Sequence, residues 1–389
     1  MTKTSPLRLP LLVAALLLSL TIAGCIPTRL GVGWAGLSTI GERQNILVAY
    51  NDFIVMVDPA TGQEVQLLDD EGKPRIDPDS NQVRRWVVNG IQGAQFFGVP
   101  LQLDENTLLA VDYNKRLFRI NISTARIETP AGTPINSQVV ADLVSDGENV
   151  FLPSYNKGMI AINVEDGADV DWTMNTDNGI WSKPLLYNDT LYFGSMDHQL
   201  YAVDAADGSI KWQLELEGAV ASSPVVYEDK LYIGSFARKL FEISLDGEVL
   251  NTYTTEDWIW SAPVIKDGIL YAADLDGYVY ALNIADGQFI ENWKTKATGR
   301  GIRPSPLVTD EFVVVAGRDG QIDWLGTGNG VITIKQDVQS EILSDILLIQ
   351  PSETLNIAEP LVIISTINSS QLLVAFTLNE GAKSWVYAR

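Results

Sequence analysis

The stretch Ser182-Lys183-Pro184-Leu185-Leu186-Tyr187-Asn188-Asp189-Thr190-Leu191-Tyr192-Phe193-Gly194-Ser195-Met196-Asp197-His198-Gln199-Leu200-Tyr201-Ala202-Val203-Asp204-Ala205-Ala206-Asp207-Gly208-Ser209-Ile210-Lys211-Trp212 reads as one small antiparallel sheet. Its apolar segments, Leu191–Ser195 and Leu200–Asp204, are short and rich in Leu, Tyr and Val, as half-buried strands are. Asp207-Gly208 then turns the chain, since glycine tolerates the positive φ of a tight reversal. The next copy has Ser222-Ser223-Pro224, Leu231-Tyr232-Ile233-Gly234-Ser235, Leu240-Phe241-Glu242-Ile243 and Asp246-Gly247. Another has Ser261-Ala262-Pro263, Leu270-Tyr271-Ala272-Ala273, Val279-Tyr280-Ala281-Leu282-Asn283, Asp286-Gly287 and Trp293. The turn glycines Gly167, Gly208, Gly247 and Gly287 recur at a near-constant interval, the mark of a repeat architecture.

One such sheet cannot bury both faces alone. Radial stacking buries them and leaves only short edges, which is the β-propeller solution. Weaker copies run from Ile46 to Gly62, from Leu108 to Arg126, and from Val150 to Trp172. Phe312 to Leu325 begins a degraded copy in which Trp324 breaks the pattern, and Leu361 to Trp385 closes the series. The expected fold is all-β, an eight-bladed (alternatively seven-bladed) propeller of four-stranded antiparallel blades over residues 46–389.

These copies resemble the PQQ-type propeller repeat, Ala-x-Asp-x-x-Thr-Gly-x-x-x-Trp. Ala202, Asp204, Gly208 and Trp212 match it in spacing, with Asp207 where Thr is usual. Ala161, Asn163, Gly167 and Trp172 match with one extra residue before Trp, and Ala281, Asn283, Gly287 and Trp293 with two. Gly381 and Trp385 match the end of the motif. The resemblance implies that Trp172, Trp212, Trp293 and Trp385 dock between neighbouring blades. A large aromatic recurring at the repeat period suits an inter-blade seam on packing grounds as well.

The N-terminal stretch from Met1 to Cys25 reads as an export signal. Lys3 and Arg8 precede an apolar run, Leu11 to Ala23, too short for a comfortable membrane span of about 20 residues. The run ends Leu20-Thr21-Ile22-Ala23-Gly24-Cys25, which resembles a bacterial lipobox. That resemblance implies cleavage before Cys25, the only cysteine, and its acylation; the other reading is a short uncleaved anchor or a cysteine that merely follows an ordinary signal. Residues 1–24 are then the signal peptide and 25–45 the lipidated cysteine and a tether. Ile26, where inner-membrane retention signals carry Asp, favours the outer membrane if there are two. In a one-membrane bacterium the protein would lie on the outer face of the plasma membrane.

The formal charge is −22, or −24 once Lys3 and Arg8 are removed, which disfavours a general nucleic-acid binder. One cysteine excludes an internal disulfide, and one histidine, His198, excludes multi-histidine metal sites. His198 falls in a turn between repeat strands and is assigned no role. Asp77-x-Asp79-x-Asn81 begins like a calcium loop, but Gln82 and Val88 stand where Gly and Glu are needed, so a solvated acidic loop is expected and no metal. The repeat resemblance includes quinoprotein dehydrogenases, which carry a catalytic Asp, calcium and often a disulfide over the quinone. With the only cysteine assigned to lipid, and no basic cluster placed to hold the quinone's three carboxylates although Arg300 and Arg303 are close in sequence, PQQ is not expected here. An oxidoreductase or a small-ligand sensor using the funnel is the alternative class.

Function in a propeller lives in loops. Asp69 to Phe97 is a long insertion that either completes the first two blades or serves a partner, and Ser340 to Ile357 is also longer than the repeat needs. Three residues before Pro184, Pro224, Pro263 and Pro306 stand Trp181, Ala221, Trp260 and Arg303. Phe97 and Ile357 occupy corresponding places before Pro100 and Pro360. In related propellers this segment enters the innermost strand at one mouth of the funnel. Trp and Arg are favoured interface anchors, so Trp181, Trp260, Arg303 and Phe97 are the candidate partner-binding residues; a plug for the channel or a cover for the inner strands is the other reading. Signal, length and blade number together resemble the lipoprotein propellers of outer-membrane assembly. That resemblance implies a non-catalytic, monomeric envelope scaffold binding a protein partner, such as a membrane-assembly complex.

Overall fold

The computed structural model describes residues 33–89, 91–129, 131–156, 158–163, 169–285 and 287–389. The expected signal peptide, Cys25 and the Asp166-Gly167 turn lie outside the described residues. Among the described residues there are eight antiparallel sheets, seven of four strands and one of five. The fold is an eight-bladed propeller; the seven-bladed alternative falls. Blade 4 shows the plan, with strands Leu185–Tyr187, Thr190–Gly194, Gln199–Asp204 and Ile210–Glu215 in that order from the inside out.

Each sheet is built from consecutive residues, and the first blade starts earlier than residue 46. Gly36–Ile40 pairs with Asn45–Tyr50 in the register Gly36↔Ala49 to Ile40↔Asn45. The expected tether therefore ends before Gly36. Its last segment carries no Ser-x-Pro, yet Leu37 and Ile40 are buried. The Asp69–Phe97 insertion completes blade 1: Val87–Val88 is its outermost strand, pairing with Ile54 and Val55. Residues 64–86 interrupt that strand as an excursion joined by the bridges Gln66↔Arg85, Leu68↔Pro74 and Ile76↔Val83.

The repeat works through one cross-strand pair. Ala161, Ala202, Ala281 and Ala375 face Trp172, Trp212, Trp293 and Trp385 across the outer strand pair. A one-residue bulge follows each alanine, raising the local twist as bulges do. The small residue makes room for the indole to reach the next blade. Trp172 Nε1 donates to Ala205 O at 3.0 Å, Trp212 to Leu245 O at 2.8 Å, Trp293 to Thr327 O at 2.8 Å, and Trp385 to Pro59 O at 2.9 Å. The last of these joins blade 8 to blade 1. Each ring also lies on the turn glycine of the receiving blade, where a Cβ on Gly208 would come within 2.4 Å of Trp172. Trp86, not singled out by the repeat, makes the same bond to Ile122 O of blade 2.

Blades 5 and 7 solve the seam differently. In blade 5 buried Glu242 faces Asn251, whose amide takes over the link by donating to Gly287 O at 2.5 Å. In blade 7 the bulk has changed strands: Trp324 stands at the alanine position, facing Ile334 where the others have Trp. This is why Trp324 breaks the pattern; it is fully buried, packed edge-on against Phe376 of blade 8. Its neighbour Asp323 is fully buried too. Asp323 faces Val315 in the register that pairs Phe193 with Tyr201 and Ala272 with Tyr280. A carboxylate thus occupies a position held elsewhere by aromatic or aliphatic side chains. Neither of its oxygens has a hydrogen-bond partner, and Lys335 Nζ lies 3.8 Å away.

Candidate functional site at the channel mouth

The innermost strand of each blade is an edge strand, so its backbone N–H groups need partners. Side chains of the following blade provide them. Val99 N donates to Asp142 Oδ1 at 2.8 Å, Lys183 N to Ser223 Oγ at 3.0 Å, and Ser305 N to Asp345 Oδ1 at 2.7 Å. These residues share one position per blade and line a central cavity of about 410 Å³. Burial pushes the Asp142 carboxyl above the usual carboxylate range, offset by the Val99 N–H.

Two residues earlier in each inner segment comes the mouth. Trp181, Ala221, Trp260, Arg303 and Phe97 all line the cavity there, as expected from their spacing. Ile357 does not: it bridges Ser352 in the turn before Leu361–Ser365, and Leu343 takes its place at the mouth. The spacing before Pro360 misled because that proline precedes the second strand of blade 8. Trp34 supplies the mouth position of blade 1. The sequence does not announce it, because Trp34-Ala35-Gly36-Leu37 has Ala and Leu where the clearest copies carry Ser and Pro, and falls within the expected tether.

The mouth side chains touch in a closed circuit. Trp34 meets Phe97 at 4.8 Å, Phe97 meets Tyr113 at 5.7 Å, and Tyr113 meets Tyr155 at 6.1 Å between ring centroids. Tyr155 meets Trp181 at 5.5 Å, and Trp181 reaches over Ala221 to Trp260 at 5.9 Å. Arg303 closes the circuit, its guanidinium 4.4 Å from the Trp260 ring and 4.0 Å from that of Trp34. Stacking on two faces suits a planar, weakly hydrated cation. Burial, with Arg318 nearby, pushes the Arg303 guanidinium down to about 10, so it keeps its charge at neutral pH. Outside the circuit, Phe236 stacks on Trp258 at 4.8 Å and 9°, and Trp258 remains 47% exposed.

No group of three or more His, Cys, Asp or Glu able to hold a metal occurs among the described residues. Arg300 and Arg318 both pair with Glu341, at 3.2 and 3.4 Å. His198 occupies a left-handed turn position, φ 76°, half exposed beside Glu215. Asp77 Oδ1 accepts the N–H groups of Asp79 and Ser80 and the Ser80 hydroxyl, which hold it well below the usual carboxylate range; the calcium-like motif is a capped turn.

A family profile described as outer membrane protein assembly factor BamB matches residues 125–214 and 200–298. The chain is similar to BamB. BamB of Escherichia coli (strain K12) is 24% identical over 190 residues, 48% of this chain and 45% of that protein. BamB of Shigella dysenteriae serotype 1 (strain Sd197) gives the same figures. The chain thus spans about half the length of the curated relatives it matches. The crystal structure of BamB from Moraxella catarrhalis superposes with a TM-score of 0.64 over 87% of this chain and 95% of that one, at 14% identity. A computationally designed protein, Ika8, superposes with a TM-score of 0.66 at 14% identity, over 90% of this chain and 98% of that one. Since a designed protein fits as well as a natural BamB, this likeness carries fold and not function.

Proposed function

We propose that this chain is a non-catalytic, lipid-anchored envelope scaffold that binds a protein at the channel mouth, in the manner of an outer-membrane assembly factor. The observation that carries the docking site is the closed aromatic circuit with Arg303, beside the exposed Trp258 stack. Rigid aromatics and an arginine around one axis are the residue types that dominate interface energies. The similarity to BamB supports the envelope setting. A bound quinone forms no part of this reading: Arg300 is tied to Glu341 and Arg303 is held between two indoles, which leaves neither poised to clamp a small polycarboxylate.

Trp181→Ala with Trp260→Ala is expected to weaken partner capture about tenfold, the equivalent of about 1.4 kcal/mol, with the melting temperature nearly unchanged. Crosslinking pull-down from envelope extracts beside thermal melts checks this; intact capture with a lowered melting temperature would mean that the circuit is a plug. Cys25→Ser is expected to abolish fatty-acid labelling, because the chain has no other thiol. A labelled Cys25→Ser protein would remove the anchor from the proposal.

A further inference from the structure

The turn Asp58-Pro59-Ala60-Thr61-Gly62-Gln63 receives Trp385, and the chain carries a second copy of it. Asp77-Pro78-Asp79-Ser80-Asn81-Gln82, in the excursion off the outermost strand of blade 1, repeats its backbone bonds and its aspartate cap. Asp58 N donates to Gln63 O at 2.8 Å, and Asp77 N to Gln82 O at 2.8 Å. Gly62 N donates to Asp58 O at 2.9 Å, and Asn81 N to Asp77 O at 2.9 Å. Asp58 Oδ1 takes Ala60 N at 3.1 Å and Thr61 N at 2.9 Å; Asp77 Oδ1 takes Asp79 N at 3.1 Å and Ser80 N at 2.9 Å. Thr61 and Ser80 add the same hydroxyl bond.

Five blade turns hold an indole, four of them six residues long like this one and one, Ser244–Glu248, a residue shorter. In each, the carbonyl of the second residue accepts the Trp N–H: Pro59, Ile122, Ala205, Leu245 and Thr327. The corresponding acceptor in the second copy is Pro78 O, and none of the ten tryptophans of the chain, all among the described residues, donates to it. Asn81, at φ 55°, stands where Gly62 has φ 66°. Blade 2 shows that a β-carbon there is tolerated, since Ala125, at φ 54°, occupies that position in the turn that receives Trp86. Pro78, Asp79, Ser80 and Asn81 are all exposed.

We propose that the Asp77–Gln82 turn is a vacant indole-docking site that takes a tryptophan presented on a strand of a partner protein, the way each blade presents its own to the next. The carbonyl gives direction to the indole N–H, and the flat backbone between Ser80 and Gln82 gives the ring a floor. The site stands apart from the channel mouth and does not depend on docking there.

N-acetyltryptophanamide, titrated into the isotope-labelled full chain, is the probe. Saturable amide shifts confined to Asp79–Gln82 are expected, with a Kd of about 1–10 mM. They should vanish with the 1-methylindole analogue, which lacks the N–H. Asn81→Gly should tighten binding several-fold by clearing the β-carbon from beneath the ring. Absent or non-saturating shifts at these amides, or equal shifts with the methylated probe, overturn the proposal.

Discussion

Trp385→Ala is expected to lower the unfolding free energy by about 3 kcal/mol, the low end of the range for a large aromatic truncated to alanine, because the ring is half-buried. Trp385 fastens blade 8 to blade 1 through Pro59 O and the Gly62 turn, alongside Tyr50, whose hydroxyl donates to Ile367 O at 3.1 Å, and Gln44, whose Oε1 accepts from Gln350 N at 2.9 Å. Around it, Tyr387 OH donates to Glu64 at 2.9 Å, Arg389 pairs with the same carboxylate at 2.7 Å, and the Arg389 guanidinium lies 4.4 Å from the Phe53 ring. No strand of one end joins the sheet of the other among the described residues, so these side chains and the apolar cluster beneath them carry the closure. Trp385→Phe keeps a ring over Gly62 but cannot donate, and should fall between the two. Urea denaturation of the full chain measures all three; a loss below about 1 kcal/mol for the alanine variant would show that the closing seam does not rely on the indole.

Asp323→Asn is expected to stabilise the protein by about 2–3 kcal/mol at pH 7.5 and by only about 1 kcal/mol at pH 4.5. Burial, helped by the charge of Asp319 and only partly offset by Lys335, pushes the Asp323 carboxyl up to about 6. The unfolded chain titrates near about 3.9. Between those values the native state holds a proton that the unfolded state has lost, so this site's contribution to stability falls as pH rises through the window. Above it the full penalty of a buried carboxylate without hydrogen bonds applies, about 1.4 kcal/mol for each pH unit between the two pKa values. Asparagine has the shape of the protonated acid and carries no such penalty. The difference between variant and parent, followed from pH 4.5 to 7.5, isolates this group from every other. A pH-independent difference would mean that Asp323 is solvated and titrates alike in the folded and unfolded chain; a difference still growing well above pH 6 would mean that it stays protonated in the folded protein.

Where local chemistry repeats, the sequence reads directly as fold. The regularly spaced glycines mark reversals that only a few residue types tolerate, and the apolar segments between them sit where a buried strand requires them. The docking tryptophans were legible for the same reason, since Ala and Trp recur as a facing pair. Legibility failed where a blade keeps the geometry and changes the residues. Trp86 makes the blade 1 link without the Ala-x-Asp signature, because the whole excursion lies between it and the turn glycine Gly62. In blade 7 the indole stands on the other strand of the pair, Trp324 facing Ile334, which erases the motif. Trp34 lies upstream of every recognisable repeat signal, yet contacts both Phe97 and Arg303 at the mouth. Contacts made across the axis connect residues far apart in the chain, and no local spacing announces them.

The join between blade 8 and blade 1 differs from the other seams in one respect, the length of chain it encloses. Trp385 and Pro59 are 326 residues apart, whereas Trp212 and Leu245 are 33 apart. Each doubling of a flexible span costs only about 0.6 kcal/mol of closure entropy, so bringing the ends together costs about 2 kcal/mol more than an ordinary seam. Every sheet can form from its own stretch of consecutive residues and zip onto its neighbour, as in a linear repeat array. An open arc of eight finished blades is therefore a natural late species in folding, separated from the ring by one docking step. The rate of that step reports on encounter of the two ends, while the rate at which the ring reopens reports on the side chains that latch it.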